Sequence, residues 1–186
     1  MAYHTYKTQG VILKRFNYGE ADKILTILSL HYGKIHCLAK GIRKLTSRKS
    51  GCLELFNLVA IFVVKGKNLD LITEVSIVNP FLNWRKNLNK VALAFQFCEI
   101  CDRLTADNQE NKLVFDLLTQ SLENLGNKKI NVDRLTIDFK KQVLKLTGFG
   151  LPVICNNNKN LDVFIEKIIE RRINSNLLLK SLGSSK

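Results

Sequence analysis

The sequence predicts an α+β chain in two parts, a small closed β-barrel followed by an all-α helical bundle. Three observations predict it. Apolar residues recur with a period of two before Pro80 and with a period of about 3.6 after it. Turn-forming clusters cut the first part into five short runs. The only two prolines, Pro80 and Pro152, each coincide with a change of pattern.

The five runs are Gln9–Arg15, Lys23–Leu30, Lys34–Lys40, Leu58–Lys65 and Leu69–Val78. In the last, Leu69, Leu71, Thr73, Val75 and Ile77 alternate with Asp70, Ile72, Glu74, Ser76 and Val78, as in a strand with unequal faces. Asn17-Tyr18-Gly19, His31-Tyr32-Gly33 and Gly66-Lys67-Asn68 supply turns between strands. Five Val/Ile/Leu-rich strands in so short a stretch fit an OB-fold, and the barrel domain is predicted over residues 1–79.

The helical domain is predicted over 80–182, with 183–186 as a tail. Leu88–Leu104 is apolar on nearly all sides, as expected of a central helix. A second helix is predicted over about Asn108–Leu125, with Asp107 and Glu110 placed as a capping box and Gly126 as a left-handed stop. A third spans Val132–Thr147, with Asn131 as N-cap and Gly148 beyond its end. The polar connector Asn156–Asn160 leads into a fourth, whose Leu161, Phe164, Ile165, Ile168 and Ile169 share one face. Ser175–Leu182 closes the set.

Composition narrows the function classes. At 46% hydrophobic residues the chain can bury a core, and no run approaches the roughly 18 apolar residues of a membrane span. The start, MAYHTYKTQG, has no signal-peptide or transit character, so a cytoplasmic location and no membrane partner are expected. Five cysteines at irregular positions argue against a disulfide framework. Cys98 and Cys101 form one CxxC inside a helix, and no second pair or His spacing completes a tetrahedral set, so no metal and no cofactor are expected. No nucleophile elbow, Walker loop or carboxylate cluster is present, and Glu20 with Asp22 reads as a turn frame; catalytic residues are not predicted.

Charge points elsewhere. Twenty-nine Lys and Arg stand against 16 Asp and Glu, a net +13, which favours polyanionic partners. Between residues 34 and 49 lie Lys34, Lys40, Arg43, Lys44, Arg48 and Lys49 without one acid. In an OB barrel, nucleic acid crosses the second and third strands between the loops joining strands one to two and four to five. Those loops are Phe16–Asp22, preceded by Lys14 and Arg15, and Gly66–Asn68, bracketed by Lys65 and Lys67. Phe16 and Tyr18 either stack on bases or pack against the barrel. A second basic stripe, Arg134, Lys141 and Lys145 with Lys140 adjacent, either takes an acidic, hydrophobic-ended peptide or is a solvated helix face.

Particular stretches resemble a known family. Gly10–Arg15, Tyr18–Lys23, Gly33–Ile35, Leu38–Lys44, Leu53–Phe56 and Gly66–Asp70 are similar, in order, to the N-terminal domain of bacterial RecO. Leu146–Pro152 resembles the segment closing that family's central helical region, and Lys180-Ser181-Leu182 a recurrent basic-Ser-hydrophobic ending. The resemblance implies an OB-fold, a helical domain, and a non-enzymatic DNA repair and recombination mediator of the RecFOR pathway. It implies binding to single- and double-stranded DNA, strand annealing, and association with a RecR-like protein and the C-terminal tail of single-stranded DNA-binding protein, so that RecA is loaded. It implies a cytoplasmic protein, nucleoid-associated during repair. One departure stands out: many RecO proteins carry a four-cysteine zinc module after the segment matching Leu146–Pro152, and here Cys155 alone follows, so the module is expected to be missing near 153–160. The other readings are a protein-interaction adaptor with incidental DNA contact and an RNA-binding OB protein.

Overall fold

The computed structural model describes residues 4–152 and 157–183. It contains two compact units, one built on the chain up to Pro80 with Ala106–Phe115, the other on Phe81–Thr105 and the chain from Asp116 onward.

The first unit is a closed five-stranded barrel. Its strands are β1 (Thr5–Tyr18), β2 (Asp22–Ser29), β3 (Gly33–Ala39), β4 (Leu58–Val64) and β5 (Asp70–Asn79), each within a few residues of its predicted run except β1, which is longer at both ends. Around the barrel they run β1-β2-β3-β5-β4 and close through β4 onto β1. All neighbours are antiparallel except β3 and β5, which meet in parallel at Cys37↔Asp70 and Leu38↔Leu71. This is the strand order of an OB barrel. The inward rows, Ile12, Leu25, Ile27, Ile35, Val59, Ile61, Val63 and Ile72, form a core almost without solvent contact. Each such side chain contributes roughly 1.5–3 kcal/mol of burial.

The cationic stretch between β3 and β4, residues 40–57, is a series of turns without strand or helix. Two apolar anchors fasten it, because Ile42 and Leu53 both insert into the barrel core. Asn57 stiffens its end by donating to the carbonyls of Gly51 and Cys52.

In the second unit a 3₁₀ turn, Leu82–Trp84, precedes the helices α1 (Leu88–Leu104), α2 (Lys112–Asn124, whose first turn belongs to the barrel unit), α3 (Val132–Leu146), α4 (Asn158–Ile168) and α5 (Ser175–Gly183). α1 is the centre, burying Ala92, Ala94, Phe97, Ile100 and Leu104, with Phe97 stacked on Phe139 of α3 at 4.2 Å. The carboxylate of Glu99 on α1 accepts from the backbone N–H groups of Asn174 and Ser175, satisfying the start of α5. α3 has the predicted caps: Asn131 accepts from Arg134 N–H, and Gly148 turns left-handed so that Phe149 N–H reaches the Leu144 carbonyl.

Local signals misread three helix ends. The cap of α2 is Asn111, which accepts from Val114 N–H at 3.1 Å; Asp107 and Glu110 do not form a capping box, and Asp107 is bound elsewhere. Gly126 is not left-handed. The ammonium of Lys90 caps the Leu125 carbonyl at 2.7 Å instead, and a Cβ at Gly126 would lie a tight 3.0 Å from Asn83 Cβ. α4 begins at Asn158 rather than after Asn160, because Asn157 caps it through Asn160 N–H. Cys155, and with it part of the stretch where a zinc module is expected to be missing, lies outside the described residues.

Candidate nucleic-acid interface

A β-bulge decides what the outer face of the barrel presents. β1 pairs Ile12 with Ile27 and then Lys14 with Thr26, so Leu13 is an extra residue. Strict alternation would place Lys14, Phe16 and Tyr18 on the same side as the core residue Ile12. The extra residue reverses that, sending them outward. Phe16 and Tyr18 are 57% and 53% exposed.

The pairing registers then align two rows across β1, β2 and β3. Phe16 opposes Ile24, which opposes Leu38, which meets Leu71: an apolar, half-exposed row. Next to it Lys14 opposes Thr26, which opposes His36: a polar row whose middle residue, Thr26, is buried between the two partly exposed ends. Two residues along a strand separate the rows, about 6.7 Å. Bases can lie on the first while the backbone follows the second.

Both flanking loops are braced. Asp22 accepts from Gly41 N–H at 2.7 Å, Arg43 N–H donates to the Ala21 carbonyl at 2.9 Å, and the Arg43 guanidinium donates to the Gly19 carbonyl at 3.2 Å. The basic turn 40–44 is thereby docked on the β1–β2 loop, and Asp22 frames that turn. Across the sheet, Asp70 accepts from Gly66 N–H at 3.2 Å and from the Tyr6 hydroxyl at 2.5 Å. That clamps the β4–β5 loop carrying Lys65 and Lys67, at the edge where β5 joins β3. Burial and then the Asp70 hydrogen bond push the Tyr6 phenol well above its usual value.

The ten predicted cations divide by role. Lys40, Arg43, Lys44, Arg48, Lys65 and Lys67 are exposed. Lys14 is half-buried in the polar row. Arg43 is a brace as well as exposed, and the other three are braces: Arg15 pairs with Glu54 at 2.5 Å, Lys49 donates to the Ile72 carbonyl at 3.2 Å, and Lys34 pairs with Asp107 at 3.2 Å. The helical stripe divides too. Arg134 and Lys145 are exposed and Lys141 is half-buried. Lys140 is fully buried, its ammonium held by Asp162 at 2.5 Å and Asn158 at 2.7 Å, and so leaves the stripe. Burial lowers the Lys140 pKa and raises that of Asp162, each partly countered by the other's charge.

Asp107 and His36 are the residues that sequence reading missed. Ala106–Asn111 joins the barrel along the free edge of β3: Asn108 N–H donates to the Lys34 carbonyl at 2.8 Å, and Lys34 bridges Asp107 in parallel. The Asp107 carboxylate lies 3.2 Å from Lys34 Nζ and 3.3 Å from His36 Nε2. Burial pushes the Asp107 pKa up, but the hydrogen bond and charge of Lys34, with His36, outweigh it and hold the carboxyl below its usual value. No signal in the local sequence marks this pairing.

Among the described residues no three His, Cys, Asp or Glu side chains converge as metal ligands. Cys37, Cys98 and Cys101 are buried and free, and burial raises all three thiols, Cys37 to about 12, so none is a ready nucleophile. No helix among the described residues is long and apolar enough to cross a membrane.

Fold and surface together define an OB-barrel protein with a helical companion unit and a cationic, aromatic-bearing sheet face. Comparison with known sequences makes the assignment particular. The family model described as Recombination protein O N terminal matches residues 1–81, and Recombination protein O C terminal matches 85–169. The chain belongs to the RecO family of DNA repair proteins. It is similar to the DNA repair protein RecO of Dehalococcoides mccartyi (34% identical, covering 78% of this chain and 57% of the relative). The RecO proteins of Desulfatibacillum aliphaticivorans (37%; 77% and 57%) and Trichodesmium erythraeum (32%; 78% and 50%) are similar as well. The chain spans about half the length of the curated relatives it matches.

Proposed function

We propose that this chain is a non-enzymatic recombination mediator that binds single- and double-stranded DNA on the barrel and anneals complementary strands. The observation that carries the reading is the docking of the basic turn 40–44 on the β1–β2 loop, which brings Lys40, Arg43 and Lys44 to the end of the sheet that displays Phe16 and Tyr18. Phosphates meet the cations while bases meet the apolar row. Partial neutralisation of two strands lowers the repulsion that opposes their pairing. Membership of the RecO family supports a repair role in the cytoplasm, at the nucleoid. The partners proposed with it are a RecR-like protein and the acidic tail of single-stranded DNA-binding protein, together loading RecA. The exposed or half-exposed Arg134, Lys141 and Lys145 of α3 are the proposed seat of that tail.

The test mixes two complementary labelled strands with the protein across a salt series, without nucleotide or metal. Annealing should be fast at low salt and fade as salt rises. Replacing Lys40, Lys44 and Arg48 together with Gln, while sparing the braces Arg43 and Lys49, should weaken binding to all sequences alike and flatten the salt slope by about 0.7 per lost contact. A folded protein that neither binds nor anneals would remove this reading.

A further inference from the structure

We propose that Asp107 occupies a phosphate subsite on the barrel face and thereby sets the affinity of that face for nucleic acid. The inference rests on the DNA-binding reading and concerns how that site is regulated from within the chain.

His36 projects from the outer face of β3 in the register that carries Thr26 and Lys14, and Lys34, two residues before it on the same face, is opposite Leu28. The Thr26 hydroxyl lies 3.3 Å from His36 Nδ1, so the imidazole is held at one nitrogen and offers the other, Nε2, outward. An anion that follows the polar row would find an ammonium and an imidazole at its end. Asp107 is already there, with one carboxylate oxygen, Oδ1, 3.2 Å from Lys34 and 3.3 Å from His36. A carboxylate bridging two nitrogen donors has the charge and reach of a phosphate oxygen pair.

The carboxylate is delivered by backbone, not by chance of rotamer. Asn108 donates to the Lys34 carbonyl at 2.8 Å and has a left-handed φ of 57°. Gly33 lies so close beneath the strap that a Cβ on it would fall 1.9 Å from the Gln109 carbonyl oxygen, and Gly33 itself has a φ of 64°. The strap is therefore seated on the strand at Gly33 and Lys34. The contact is open to competition from the Asp107 and His36 side, where the side chains are 52% and 40% exposed, whereas Lys34 is mostly covered at 12%. A DNA phosphate approaching this end of the row either displaces the carboxylate or meets its negative charge. With Asp107 in place, the face binds nucleic acid more weakly than its cation count predicts.

The experiment measures binding of labelled oligo-dT to the full chain by anisotropy across a salt series, for wild type, D107N and D107S. Removal of one like charge at contact distance is expected to tighten binding about fivefold at low salt. The salt slope should steepen by about 0.7, one further phosphate contact on a single strand. Adding Lys34→Gln to D107N should erase the gain. Unchanged affinity and slope in D107N and D107S, in a protein that still binds and still weakens when the Lys40, Lys44 and Arg48 cluster is replaced, would overturn the inference and leave the DNA-binding reading intact. Loss of the fold in both variants would make Asp107 a structural brace and likewise overturn it. A wild type that binds no DNA would sink the reading beneath it as well.

Discussion

Replacing Phe16 and Tyr18 with alanine separates a stacking surface from a packing surface. Both rings are more than half exposed on the outer face of β1. Full burial of such a ring contributes up to about 3 kcal/mol, so the buried minority of each contributes about 1 kcal/mol. The double variant should therefore lose about 2 kcal/mol of stability and keep its fold. If each ring stacks one base, each contributes about 1–3 kcal/mol to binding. At about 2 kcal/mol apiece the affinity for oligo-dT falls roughly a thousandfold. Neither substitution changes charge, so the salt slope should stay that of wild type, with the whole line displaced. Anisotropy titrations at several salt concentrations read both quantities, and thermal unfolding reads the third. Wild-type affinity in a folded double variant would refute the stacking argument. A flattened slope would show that the substitutions had disturbed the neighbouring cations.

Two further outcomes follow from the geometry. Lys140→Met should destabilise the protein by about 3 kcal/mol, since Asp162 is left partly buried without its cation, whereas K140M with D162L should recover most of that loss or exceed wild type; chemical denaturation of both variants checks it, and equal losses would contradict the desolvation argument. Gly66→Ala should loosen the β4–β5 loop, because a Cβ there would fall 1.9 Å from the Leu69 carbonyl oxygen; faster amide exchange at Gly66, whose N–H donates to Asp70, with weaker DNA binding through Lys65 and Lys67, is the expected readout.

The five strands, the central helix and the caps of α3 were legible because each depends on neighbours in sequence. Alternation, helical periodicity, an Asn before a helix and a Gly after it are local physics. Three of the misreadings share one cause. Asp107 and Glu110 have the spacing of a capping box, yet Lys34 offers Asp107 an ammonium and His36 a ring nitrogen at little more than 3 Å. Gly126 has the position of a left-handed stop, yet Lys90 supplies the cap. Lys140 adjoins a basic stripe, yet one residue is about 100° of helical turn, enough to point it at Asp162. In each case a partner distant in sequence outbids the local preference.

By itself the sequence determined the succession of strands and helices, the family, and the excess of positive charge with its concentration between residues 34 and 49. These follow from patterning and composition, which a linear chain carries openly. The tertiary structure decided which of those charges face solvent and which brace loops, because an ion pair such as Arg15–Glu54 needs a partner some forty residues away. It also decided that Lys14, Phe16 and Tyr18 face outward together. Alternation reports a strand's two faces only while the pairing is regular, and the single extra residue at Leu13 exchanges them.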